Sequence, residues 1–345
     1  MRRLTISMAV GFLFIFSSVV SGKEYVIKFA TIAPEGSTWM KVLKEFGQEI
    51  QEKSGGQMRF RIYPGGVSGD EKDVLRKMRI GQIHCAGFTG VGFGEILPEV
   101  RVIDLPFIFR NYGEVDYIQE KMYERFAAAF EEKGFVLLGW AEVGFVHFFS
   151  NKPIYSMEDV KHLKIWMWEG DPLAVALFKA LGVSPIPLSV IDVLSSLQTG
   201  LINAVYISPL GAIALQWFTK VKYMTEFPIS DAAGAVLITK RYFDRLPENL
   251  QLILKESARN HLTRLIQLTR MDNVESVEIL KENGIQITPT PPDSVMAEFY
   301  GVGERAREKL VGKMYSRELL NELLFHIEEF RSKQTPIPNT RGHEE

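Results

Sequence analysis

PENLQLILKESARNHLTRLIQLTRMDNVESVEILKEN, residues 247–283, reads as one long helix. Pro247 suits a first helical position, where its missing N–H costs nothing. Leu250, Leu254, Ala258, Leu262, Leu265 and Val277 recur at helical spacing. At 1.5 Å per residue such a helix runs roughly 55 Å. That is wider than one lobe, so the reading is a helix that bridges two lobes; a break near Asp272-Asn273 is the alternative. The 345 residues of the chain are also more than one typical domain needs.

Outward from this run, strands and helices alternate. Tyr25 to Ala30 reads as a strand, and Ser37 as the cap of a helix carrying Trp39, Val42, Leu43, Phe46 and Ile50. Met58, Phe60 and Ile62 alternate with arginines as in a half-buried strand. Asp70-Glu71 open the next helix and Arg76, Lys77 and Arg79 close it, matching the helix dipole at both ends. Ile83 to Phe88 is a strand, Glu114 to Lys133 a helix, and Phe135 to Trp140 a strand. The middle third repeats the rhythm with strands at 164–168, 183–187 and 203–207 and helices at 172–181 and 190–198. Such alternation predicts an α/β fold with a mainly parallel sheet.

Composition narrows the function. Hydrophobic residues make up 46% and charged residues 24%, the proportions of a globular protein. Lys plus Arg is 40 against 42 acids, so no basic face for nucleic acid is expected. A single cysteine, Cys85, excludes an internal disulfide and Cys-rich zinc sites; inside an apolar strand it reads as core. There is no GxSxG elbow, HExxH or GxxxxGK[ST] loop, and the histidines are scattered, so neither catalysis nor a metal or other cofactor is expected. Gly90-Val91-Gly92-Phe93-Gly94 is read as a glycine-rich turn after a strand, because Glu95 stands where a dinucleotide loop needs its third glycine.

Met1-Arg2-Arg3, the apolar stretch Leu4 to Val20 and the small residues Val20-Ser21-Gly22 have the layout of a secretory signal peptide at 1–22. The competing reading is an uncleaved anchor, since about 17 apolar residues come close to spanning a bilayer. No cysteine follows the stretch, so no lipid anchor is expected. A soluble, exported, periplasmic protein is the expectation, with a frayed tail at 331–345.

Lys53-Ser54-Gly55-Gly56, Ile62-Tyr63-Pro64-Gly65-Gly66 and Gly69-Asp70-Glu71 resemble the N-terminal signature of the DctP family, the substrate-binding proteins of TRAP (tripartite ATP-independent periplasmic) transporters. Leu105-Pro106-Phe107-Ile108-Phe109, Asp159-Val160-Lys161-His162-Leu163-Lys164-Ile165, Leu197-Gln198-Thr199-Gly200-Leu201-Ile202-Asn203-Ala204 and Leu246-Pro247-Glu248-Asn249-Leu250-Gln251 continue in that family's order. The resemblance implies a two-lobed, periplasmic-binding-protein-like α/β fold with one long helix spanning both lobes. Residues 24–148 and 233–270 would form the first lobe, and 149–232 and 271–330 the second, with hinges near Phe149–Asn151 and Ile229–Asp231. It also implies capture of a small molecule in the cleft and delivery to membrane-embedded permease subunits driven by an ion gradient. A periplasmic sensor module is the alternative, and an exported enzyme a remote one. Oligomeric state is not legible.

The departures bear on the ligand. Family members that bind organic acids carry an arginine after Lys-Ile, where this chain has Trp166; a second arginine is common after Gly-Phe, where Gly144-Phe145 is followed by Val146 and His147. Along a strand, Trp166 and Trp168 share a face, which is either lobe core or cleft lining. Phe145, Phe148, Phe149 and Trp140, on neighbouring strands, extend the candidate surface, and His147 is a candidate hydrogen-bonding contact. Trp39, Glu71, Phe88, Thr89, Tyr206 and Ser208 stand at strand-to-helix junctions, where open-sheet folds place ligands. Glu71 serves equally well as a helix-start acid, and His147 as a satisfied strand histidine. The expected cargo has an apolar or neutral part, lipid-like or aromatic, with a cationic solute second. Lys28 and Arg61 are the basic residues whose approach to the cleft would restore acid binding.

Overall fold

The computed structural model describes residues 23–334. The expected signal peptide and most of the expected tail lie outside the described residues; residues 331–334 end the last helix in place of fraying. Strands β1 (Tyr25–Ala30), β2 (Met58–Tyr63), β3 (Cys85–Thr89), β4 (Phe135–Ser150), β5 (Trp166–Trp168), β6 (Ile186–Leu188), β7 (Ala204–Ile207), β8 (Tyr223–Thr225), β9 (Ser230–Thr239) and β10 (Gln286–Thr288) are interleaved with twelve α-helices among the described residues. These are α1 (Thr38–Lys53), α2 (Glu71–Arg79), α3 (Gly90–Gly94), α4 (Tyr112–Glu132), α5 (Met157–Lys161), α6 (Pro172–Leu181), α7 (Val193–Thr199), α8 (Pro209–Ala214), α9 (Lys240–Phe243), α10 (Glu248–Glu282), α11 (Asp293–Leu310) and α12 (Arg317–Gln334). Local chemistry sets the boundaries as expected: the Ser37 and Asp70 side chains cap α1 and α2, and Gly200 ends α7 in the left-handed region at φ 72°.

The sheet order is β10-β8-β4-β9-β3-β1-β2, with β7 also on β4, while β5 and β6 form a separate parallel pair. The expectation of a mainly parallel sheet is corrected. β1 is parallel to β2 and β3, but β9 is antiparallel to β3 and β4, and β7 and β8 are antiparallel to β4. The cause is the crossing between lobes. β4 carries the chain out of the first lobe, and β9 brings it back alongside, so the two must run in opposite directions. The strand expected to stop at Trp140 therefore continues to Ser150, pairing with β9 as far as Val146 and with β7 from His147. Trp140, Phe145, Phe148 and Phe149 lie on this one strand, not on neighbouring ones.

Helix α10 is unbroken over 35 residues, so the alternative break at Asp272-Asn273 does not occur. Its first half packs Leu250, Leu254, Leu262 and Leu265 onto Phe46 and Ile50 of α1, and its end places Leu280 beside Trp217 in the second lobe. Between them Asn273 donates Nδ2–H to Val143 O at 3.0 Å and accepts from Leu210 N at 2.9 Å, tying the helix to β4 and α8.

α12 carries a stripe of Leu319, Leu320, Leu323 and Ile327, and this packs on Ile118, Met122 and Phe126 of α4 in the first lobe. Ion pairs Arg125–Glu322 (2.8 Å) and Arg331–Glu114 (2.8 Å) flank it. Residues 317–330 thus lie against α4, a partner the apolar stripe alone does not name.

Candidate functional site

A cavity of about 220 Å³ opens between the lobes. Eight of the ten residues expected to face it line it: Trp39, Glu71, Phe88, Thr89, Trp166, Trp168, Tyr206 and Ser208. Each comes from a strand end or the junction after it, where side chains project past the sheet edge.

The aromatic wall is built on β5. Alternation puts Trp166 and Trp168 on one face, their rings 5.9 Å apart. Trp166 stacks on Tyr206 at 5.0 Å and meets Trp217 edge-on at 5.2 Å. Both indole N–H groups are satisfied inside the protein, Trp166 donating to Leu188 O (3.0 Å) and Trp168 to Asp70 Oδ2 (3.1 Å). The Tyr206 hydroxyl accepts from Trp168 N at 3.3 Å. What the wall offers the cavity is therefore ring surface. Trp217, in a short 3-10 helix, was not anticipated; its position follows no strand alternation or motif.

Glu71 heads α2, buried, and is spoken for. Its carboxylate accepts from Thr89 N (2.7 Å), Thr89 Oγ1 (2.9 Å) and Gly92 N (2.7 Å). Burial nonetheless pushes this carboxyl up to about 7, against the pull of those donors. The glycines of 90–94, expected to form a turn, form helix α3 instead. Close approach explains them: a Cβ on Gly92 would stand 2.6 Å from Glu71 Oε2, and one on Gly90 would stand 1.9 Å from Asp104 Oδ2.

The sequence reading missed Arg101. It is buried, and it donates Nε–H to Asp104 at 2.7 Å and both terminal nitrogens to Asp171 at 3.0 and 3.2 Å. Asp104 in turn accepts from Ala233 N at 2.9 Å, and its carboxyl is pushed up to about 6 by burial despite the guanidinium. Asp171 also caps α6 through Leu173 N. The pair thus bridges the lobes at the cavity wall. Asp70 forms a second bridge, reaching Trp168 and Ser189 across the gap. Among the described residues, Arg101 is the one basic residue of the lining, which also holds the carboxyls of Glu71, Asp104, Asp171 and Asp231.

Two expected residues are elsewhere. Phe145 packs on Tyr112 at 4.7 Å, and the His147 ring bonds Thr225 O at 2.8 Å; Val146 between them lines the cavity. A bulge in β4 between Glu142 and Gly144 shifts the register, and with it the face each residue takes. Lys28 and Arg61 do not line the cavity either; Arg61 lies over the Tyr63 ring on β2.

His147 yields a pH prediction. Because Thr225 O only accepts, Nδ1 carries the proton, and burial lowers this imidazole from 6.5 to about 4. A depressed histidine stabilises the fold above pH 6.5, and that contribution is lost as pH falls towards 4. The loss is up to about 3 kcal/mol. The raised Glu71 and Asp104 work with the opposite sign, so the comparison is with His147→Asn. Urea unfolding from pH 7 to 4 should show a steeper loss in the wild type than in that variant; parallel curves would refute the assignment.

The chain matches the DctP family, bacterial extracellular solute-binding protein family 7, over residues 29–302. It is 32% identical over 165 residues to a solute-binding protein of Chromohalobacter salexigens, covering 47% of this chain and about half (49%) of that one. It is 25% identical to the 2,3-diketo-L-gulonate-binding periplasmic protein YiaO of Escherichia coli, over 71% of this chain and 75% of that protein. Its fold superposes on a TRAP periplasmic solute-binding protein of Pseudomonas putida F1 with bound D-glucuronate, at TM-score 0.80 and 24% identity, covering 90% of this chain and 98% of that one. These relatives are substrate-binding proteins for transporters, not enzymes. Among the described residues no helix is long and apolar enough to cross a membrane. With two lobes, a cavity between them and one helix spanning both, the chain belongs to the DctP family of TRAP-type extracellular solute-binding proteins.

Proposed function

We propose that this protein captures a compact solute with an apolar body between its lobes in the periplasm and hands it to TRAP permease subunits, and that small dicarboxylates and sugar acids are not its cargo. One observation carries the reading: among the described residues, four carboxyls and a single guanidinium line the cavity, and that guanidinium is already bonded to two of the carboxyls. A carboxylate ligand would enter an acidic, largely apolar site without a charge-assisted partner, which costs several kcal/mol. The Trp39, Phe88, Trp166, Trp168, Tyr206 and Trp217 rings supply the apolar contact instead. A cavity of about 220 Å³ lies below the ~300–1,000 Å³ usual for small-molecule clefts, which favours an aromatic-sized ligand over a long acyl chain. The residues Trp39, Glu71, Phe88, Thr89, Trp166, Trp168, Tyr206 and Ser208 form the site in this reading.

Ligand capture closes the lobes about Phe149–Asn151 and Ile229–Asp231, with α10 flexing and the Arg101–Asp171 and Asp70–Trp168 contacts holding the closed form. Native mass spectrometry of freshly purified protein identifies any retained ligand. Thermal-shift screening of D-glucuronate, galactonate and succinate beside aromatic amines, aromatic alcohols and betaines then ranks the classes. Stabilisation by the apolar group, with a smaller radius of gyration on saturation, is the expected result. Tight binding of a small acid, undiminished in Trp166→Phe, would sink the proposal.

A further inference from the structure

Two buried polar side chains in the cavity wall stand without a protein partner. Asp231, the second residue of β9, is 1% exposed, and neither carboxyl oxygen is hydrogen-bonded within the described residues. Thr269 Oγ1, on α10, is likewise buried and unbonded. Both residues line the cavity, and they come from different elements that the fold brings together there. Buried polar groups in native proteins are almost always satisfied by protein, water or ligand, so these two groups of the lining call for partners from outside the described residues. The rest of the lining says which sign of charge that partner carries. The cavity has carboxyls in excess, and its aromatic rings attract cations.

We propose that Asp231 is the polar anchor of this cavity, and that the solute presents to it a protonated amine carried on a compact aromatic or aliphatic body, with Thr269 as a second hydrogen-bonding contact. The proposal rests on the apolar-solute reading above and sharpens it. Burial, with Glu142 and Asp104 adding repulsion, holds the Asp231 carboxyl well above the ordinary range, while Arg270 pulls the other way. Arg270 is itself bonded to Glu142 and Asp116, so it does not neutralise Asp231 directly. An ammonium supplies the missing positive charge and the N–H donors together. A carboxylate supplies neither.

The test uses three probes that share one phenyl body: 2-phenylethylamine, 2-phenylethanol and phenylacetate, titrated calorimetrically into the exported chain, Asp231→Asn and Trp166→Phe. The amine is expected to bind wild type at least tenfold tighter than the alcohol, with phenylacetate weakest. Asp231→Asn should erase the amine's advantage while leaving the alcohol within about threefold. Phenylacetate binding tighter than the amine overturns the proposal, whether or not the variant folds. So does an amine-to-alcohol ratio unchanged in Asp231→Asn. If alcohol binding is equal in wild type and Trp166→Phe, the aromatic-wall reading fails. If no probe binds, both fail together.

Discussion

Arg101→Ala should lower the unfolding free energy by about 3–5 kcal/mol, the usual cost of removing one partner from a buried ion pair. The mechanism is specific. Asp104 and Asp171 are 5% and 4% exposed, and without the guanidinium both remain buried with no counter-charge. Asp104 retains only the Ala233 N–H among its donors. Its carboxyl is already held up to about 6, and loss of the guanidinium moves it higher. A carboxyl raised above its unfolded value stabilises the fold below that value and ceases to do so as pH rises through the folded one. The penalty of the variant should therefore shrink between pH 7 and pH 4. Arg101→Lys should not restore full stability, because an ammonium cannot reproduce two parallel bonds to Asp171 together with a third to Asp104. Urea midpoints at pH 7 and 5 check this. A loss under 1 kcal/mol at pH 7 would mean that the pair does not hold the lobes.

Trp166→Ala should cost a similar amount, about 3–5 kcal/mol, before any ligand is added. The indole is 2% exposed, stacked on Tyr206 and set edge-on against Trp217, and its N–H satisfies Leu188 O. Truncation opens a cavity in the second lobe and leaves that carbonyl with only the Glu169 N–H, at 3.2 Å. The residue lines the cavity and packs in the second lobe at once. An alanine variant consequently mixes lost binding with lost stability. Trp166→Phe separates them: it retains a ring at the Tyr206 face and gives up one hydrogen bond, worth about 1 kcal/mol. Equilibrium unfolding of both variants decides the matter. Near-native stability in Trp166→Ala would show that the ring is not packed as described.

Sequence by itself determined the features that depend on neighbours along the chain. Ser37 and Asp70 cap their helices, Gly200 stops another, and the apolar spacing from Leu250 to Val277 specifies the long helix, because capping bonds and the 3.6-residue period are local. The shared face of Trp166 and Trp168 was legible for the same reason. Tertiary structure decided what joins distant residues. The antiparallel return of β9 along β4 made the sheet mixed, and the bulge between Glu142 and Gly144 put Val146 into the cavity in place of Phe145 and His147. Arg101 meets Asp171 seventy positions away, α12 finds α4 nearly two hundred away, and Asp231 reaches the cavity from a returning strand. A buried charge and its partner have no period and no fixed spacing, so only the packed chain shows which carboxyls are paired and that Asp231 has no hydrogen-bond partner among the described residues.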